Sequence, residues 1–207
     1  MKINSRNFMT CLILFALVLG ETSCATKSSE NDQNSAEGKE VAAQAETEVE
    51  EVPQKEDKSK RPSPPAQASG TIDGVSVLID YSQPAVKERT VWGELVPYGN
   101  VWRTGANEAS WIEFDKAVVI GGKELAAGKY GLFSIPAEGD WTIIFNEQFD
   151  QWGAYQYSEE KDVARISVTP TVTDASVERL TFTVDDKVNF AWEKMSWSFD
   201  VKAAVAE

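Results

Sequence analysis

The sequence predicts an all-β fold: an antiparallel β-sandwich or partly closed barrel of about eight or nine short strands, preceded by a disordered tether. Three observations carry this reading. Apolar residues alternate with a period of two over much of residues 70–202, turn-forming residues fall between the alternating segments, and no segment shows a convincing helical period. With no amphipathic helix between any two strands, a parallel α/β sheet is excluded.

Taken in order, residues 1–23 read as a signal peptide. Lys2 and Arg6 precede the apolar run Cys11–Gly20, and the small polar stretch ETSC follows. That run is too short to span a bilayer, which takes about 20 helical residues. Cys24 stands where a lipoprotein signal places its acylated cysteine, so the expectation is a mature chain held to the membrane by a lipid on Cys24. Glu21 stands where such signals usually carry an apolar residue. The alternative is ordinary cleavage to a soluble periplasmic or secreted protein.

Residues 24–69 read as an acidic, proline-rich linker. Between Ala25 and Arg61 there is no Leu, Ile or aromatic residue, so ordering the segment would bury little apolar surface. RPSPPAQASG, residues 61–70, closes it with a stiffer piece.

Residues 70–207 then form the β domain, which holds all seven tryptophans. Val75, Val77, Ile79 and Tyr81 share one face of a strand, opposite Ser76, Asp80 and Ser82. The same alternation recurs around Ala164, Ile166 and Val168; Leu180, Phe182 and Val184; and Met195, Trp197, Phe199 and Val201. Further strands are expected at Trp111 to Phe114, Ala117 to Ile120, Gly128 to Ile135 and Trp141 to Phe145, with turns at Ile120 to Leu125, Pro136 to Asp140 and Val184 to Val188. Trp192, Glu193 and Lys194 are expected where two late strands meet.

Composition narrows the chemistry. The chain contains no histidine, which removes Ser–His–acid triads, Cys–His pairs, HExxH zinc sites and most transition-metal sites. Beyond Cys24 there is no cysteine, so the domain is stabilised without disulfides. A net charge of −13 argues against nucleic acid as a partner. No cofactor or metal is implied; Asn146, Glu147 and Asp150 lack EF-hand spacing, and a calcium ion on Asp185 and Asp186 has no support in the pattern.

YSQPAVKERTVWGELVPYGNVWRTGANEASWIEF, GGKELAAGKYGLFSIP, WTIIFNEQFDQWGAY and NFAWEKMSWSF resemble the bacterial family known as domain of unknown function 2911. The resemblance covers the chain from about residue 62 onward, with WRTGANEA as its most distinctive core. It implies an exported, all-β protein, often a lipoprotein, and supplies no reaction.

The candidate site begins in LVPYGNVWRTGANEASW, residues 95–111. Pro97 lacks a ladder donor, so this is expected to be a loop. Tyr98, Trp102, Arg103, Asn107 and Glu108 combine planar aromatics with hydrogen-bonding groups, as in pockets for sugars or small carboxylates. The competing reading is structural: Arg103 pairs with Glu108 or Asn107 to fasten the loop, and Trp102 and Tyr98 plug it. Trp152, Tyr155 and Tyr157 are expected to form the other wall of a cleft with Trp102. The sequence thus suggests a non-catalytic cell-envelope module that binds a small ligand or glycan or serves a structural role. The alternative is a carboxylate-based glycan hydrolase pairing Glu108 with Glu113 or Glu193.

Overall fold

The computed structural model describes residues 56–205, so the signal segment, Cys24 and most of the expected linker lie outside the described residues. Among the described residues eleven strands follow one another: β1 (Pro65–Ile72), β2 (Val75–Ser82), β3 (Trp111–Phe114), β4 (Val118–Ile120), β5 (Lys123–Leu125), β6 (Gly128–Ile135), β7 (Trp141–Asn146), β8 (Asp162–Val168), β9 (Thr171–Val184), β10 (Val188–Phe199) and β11 (Lys202–Ala203). They form a six-stranded antiparallel sheet in the order β1-β2-β3-β6-β7-β8, a β9–β10 hairpin, and a small sheet in the order β11-β4-β5. The large sheet keeps free edges at β1 and β8, so no barrel closes. The all-β, antiparallel reading holds.

The period-two pattern is what buries the core. Val75, Val77 and Ile79 of β2 point inward with Ile112, Phe114, Leu132, Ile143 and Phe145 of neighbouring strands. Leu180 and Phe182 of β9 meet them with Phe190, Trp192, Trp197 and Phe199 of β10. Two-residue turns at Asp73–Gly74 and Gly121–Gly122, all at positive φ, match the strand twist and tighten the β1–β2 and β4–β5 hairpins.

Strands β6 and β7 are buried on both faces. Ala109, Phe133 and Ile144 form a second, smaller cluster, packed against Val101, Ile135, Ala154 and Tyr157. Two long loops thus cover the reverse side of the sheet, and they are the loops that carry the candidate residues.

Three features depart from the sequence reading. The first five residues of strand β1 lie inside the stretch read as linker, because most of its inward face is written in Ala and Gly rather than in large apolar residues. Strand β9 begins well before Leu180; its first half is exposed and therefore shows no inward alternation. Finally, Trp192, Glu193 and Lys194 do not separate two strands. They lie inside β10, where the ladder shifts register on both sides of Glu193 and Glu193 takes φ 54°. The inward residues change from Val188, Phe190 and Trp192 to Trp197 and Phe199, an even-to-odd switch that a bulge produces.

Candidate functional site

The WRTGANEAS segment, residues 102–110, is an excursion from the line of β3. Trp102 pairs with Ser134 of β6 through reciprocal backbone bonds of 2.8 and 2.9 Å, and the chain rejoins at Ser110, whose carbonyl accepts from the Leu132 amide at 2.8 Å. Between these points the loop is fixed by its own polar side chains. The Trp102 Nε1 donates to the Gly105 carbonyl (3.1 Å), Thr104 Oγ1 to Ser134 Oγ (3.0 Å), and Ser110 Oγ to the Thr104 carbonyl (2.9 Å). Thr104, Ser110 and Ser134 are fully buried yet satisfied, as buried hydroxyls must be. Thr104 and Asn107 hold left-handed φ of 49° and 60°, conformations that persist only where surroundings enforce them.

The second candidate loop docks on the first through its backbone. Ala109 N–H donates to Gln151 O and Gly153 N–H to Asn107 O, each at 2.9 Å, with a bridge between Glu108 and Trp152. The two loops expected to cooperate are therefore neighbours, but their side chains do not line one cleft. Trp102 is buried; its ring stacks on Trp192 at 5.8 Å and meets Trp92 edge-on at 5.9 Å. Trp152 and Tyr155 stand 54% and 86% exposed, outside the pocket that Trp102 lines. Tyr98, half-exposed, sits against Gly93 and is also outside that pocket. Tyr157 instead covers Phe133 at 5.2 Å. Its hydroxyl donates to Asp162 (2.8 Å) and accepts from Arg165 (2.9 Å), and burial together with the Asp162 bond pushes its pKa up to about 12.

The expected Arg103–Glu108 pair is not formed. Glu108 accepts from Lys58 at 2.9 Å and from Arg61 Nη1 at 2.8 and 3.0 Å. Burial raises the Glu108 carboxyl pKa, but hydrogen bonds and charge from Lys58 and Arg61 outweigh it and hold the group below its ordinary range. Arg61 also contacts Glu56 and lies over the Trp152 ring, 5.5 Å from its centre. Asn107 Nδ2 donates to the Ser63 carbonyl (2.9 Å) and to Ser82 Oγ (3.2 Å). Residues 56–63 thus form a strap across the loop. Composition gave no sign of these partners, because they belong to the segment that reads as tether.

Arg103 faces elsewhere. Trp102, Arg103 and Asn107 line a pocket of about 290 Å³ with Arg89, Leu95 and Trp192 among the other walls. The Arg103 Nε is buried without an acceptor, and burial lowers its pKa while nearby Tyr155 opposes that shift. Glu108 lines a separate hollow of about 190 Å³ with Lys58, Asp80 and Asp150. The loop therefore divides guanidinium from carboxylate. Glu113, the other carboxylate considered with Glu108, is engaged with Lys129 at 3.8 Å, and Glu193 sits in the β10 bulge. Asp185 is engaged within its own turn by Thr183 and Asn189. Among the described residues no group of three or more acidic or cysteine side chains converges on a metal position.

An open β-sandwich whose candidate polar and aromatic residues are carried mainly on loops between the strands is an all-β scaffold with loop-borne candidate sites. The chain belongs to the family described as a protein of unknown function, DUF2911, whose model matches residues 63–201. No curated protein and no solved structure matches the chain.

Proposed function

We propose that this is an exported lipoprotein of the cell envelope, held to the membrane by an acyl chain on Cys24, whose β domain is a non-catalytic module that binds a small molecule or glycan. The observation that carries the binding part is the convergence of Trp102, Arg103 and Asn107 on one open pocket of about 290 Å³. Its lining sets Arg89, Arg103, Asn107 and Ser63 around the edges of two largely buried indoles, a polar pocket on an aromatic floor. The loop that supplies them is held rigid by buried hydrogen bonds, so little ordering entropy opposes binding.

A hydrolytic reading fits less well. A carboxylic general acid needs its pKa raised, whereas Glu108 is moved down and is engaged by two cations.

The test of binding is a thermal-shift titration of the full chain against a glycan and metabolite library. A stabilising hit that Arg103→Ala abolishes, with the fold intact, supports the site; a hit that survives the substitution removes the loop from it. Anchoring is tested separately by metabolic labelling with a fatty acid: incorporation should disappear in Cys24→Ser, and no Cys24-dependent label overturns the anchor.

A further inference from the structure

The charges that line the Trp102 pocket run against the composition of the chain. The sequence carries 33 acidic residues against 20 basic ones, yet the pocket walls contain Arg89 and Arg103 and no carboxylate. Arg103 is half-buried, and elsewhere a half-buried guanidinium brings a counter-charge with it. Arg61 meets Glu56 and Glu108, and Arg165 meets Asp162 and Glu159. Neither Arg89 nor Arg103 forms an ion pair among the described residues.

Two of the four buried donors that lack an acceptor among the described residues belong to residues of this pocket. Arg89 is fixed by bonds from Nε to the Val86 carbonyl (3.0 Å) and from Nη2 to the Ala85 carbonyl (2.5 Å). Those bonds hold its guanidinium in place without neutralising it. Arg103 Nε and Trp192 Nε1, both on pocket-lining residues, are buried donors with no partner. Arg89 is exposed and keeps its charge in water, whereas Arg103 is half-buried; a half-buried cation without a counter-ion is destabilising, and an anion supplied from outside the chain would complete it.

Resting on the pocket proposed above, we infer that its ligand presents an oxyanion, a carboxylate or a phosphate, which Arg103 and Arg89 hold while the rest of the molecule lies against the Trp102 wall. The cavity is of about 290 Å³, at the small end of ligand pockets, which limits the guest to something of monosaccharide size. Planar guanidinium groups suit either anion, because both present paired oxygens to the fork of N–H donors.

Titration calorimetry of the full chain with glucuronate, glucose 6-phosphate and glucose decides this. At least one of the two anions should bind with an affinity that falls as salt rises, and glucose should bind about ten-fold more weakly or worse. The tighter of the two identifies the carboxylate or the phosphate. Arg103→Gln and Arg89→Gln should each weaken the anion by about 10- to 100-fold.

Arg103→Gln should also keep or raise the melting temperature, since it removes an uncompensated charge. Were it to misfold instead, Arg89→Gln and Arg103→Lys carry the binding measurement. Glucose bound as tightly as the anions, with all three weakened alike in Arg103→Gln, overturns the oxyanion and leaves the pocket standing. The oxyanion is equally overturned if neither anion binds at millimolar concentration. If, in addition, no library hit depends on Arg103, the pocket falls with it.

Discussion

Gly105 sits where a methyl group has no room: a Cβ there would lie 2.6 Å from Ser110 Oγ, which is itself committed to the Thr104 carbonyl. Gly105→Ala is therefore expected to destabilise the fold by about 1–3 kcal/mol, and adding Ser110→Ala to recover part of that loss, a non-additivity measurable by denaturant titration. Tyr157 provides a second test, by pH. Its phenol is pushed up to about 12, so the folded state favours the protonated form. The stability this contributes is full below about pH 10, the ordinary tyrosine value, and is lost as pH rises through about 12. In Tyr157→Phe that alkaline component should be absent from the pH dependence of melting. At neutral pH the variant should be weaker by about 1 kcal/mol through its lost hydrogen bonds. An unchanged alkaline profile would assign the titration to another group. At this scale the sequence shows which side chains the loop carries but mispairs its charges. Arg103 and Glu108 are five positions apart, but the buried Thr104–Ser134 bond and the left-handed Asn107 turn them into different pockets.

Among elements, the strap of residues 56–63 depends on Glu108 for its hold. Glu108→Gln removes the charge that both Lys58 and Arg61 approach. Hydrogen exchange of the Lys60 and Arg61 amides, which close the short turn at Lys58–Lys60, should become faster in that variant and in high salt. The melting temperature should move little, because Lys58 and Glu108 remain open to water and Glu108→Gln keeps an acceptor for the better-covered Arg61. Exchange that stays as slow as in the parent would place the hold elsewhere, on the Asn107–Ser63 bond. Strands β2, β6 and β7 were legible because each writes its inward face in Val, Ile, Phe, Leu or Trp. Strand β1 was not, since composition outweighed alternation, although Asp73–Gly74 is a strong hairpin signal between it and β2. The β10 bulge escaped for a different reason. A parity switch inside one strand looks, in sequence, like a boundary between two.

At the scale of the whole domain, four indoles tie the two layers together. Trp92 meets Trp141 at 4.8 Å, Trp192 at 5.5 Å and Trp102 at 5.9 Å, so β7, β10 and the candidate loop share one aromatic cluster. Trp141 is fully buried, and its Nε1 donates to the Ala137 carbonyl at 3.0 Å. Trp141→Ala should remove about 3–5 kcal/mol, a large part of the 5–15 kcal/mol typical of a domain, so chemical unfolding should shift to much lower denaturant. The strap acquires a mechanical meaning in this setting. A pull on the chain ahead of residue 56 reaches the Arg61–Glu108 clamp before it reaches β1. Once the clamp yields, the load peels β1 from β2 one bond at a time from the Pro65–Ser82 end, a geometry that resists little force. Under such a pull the clamp would yield first, like a fuse, on the same loop that carries Arg103.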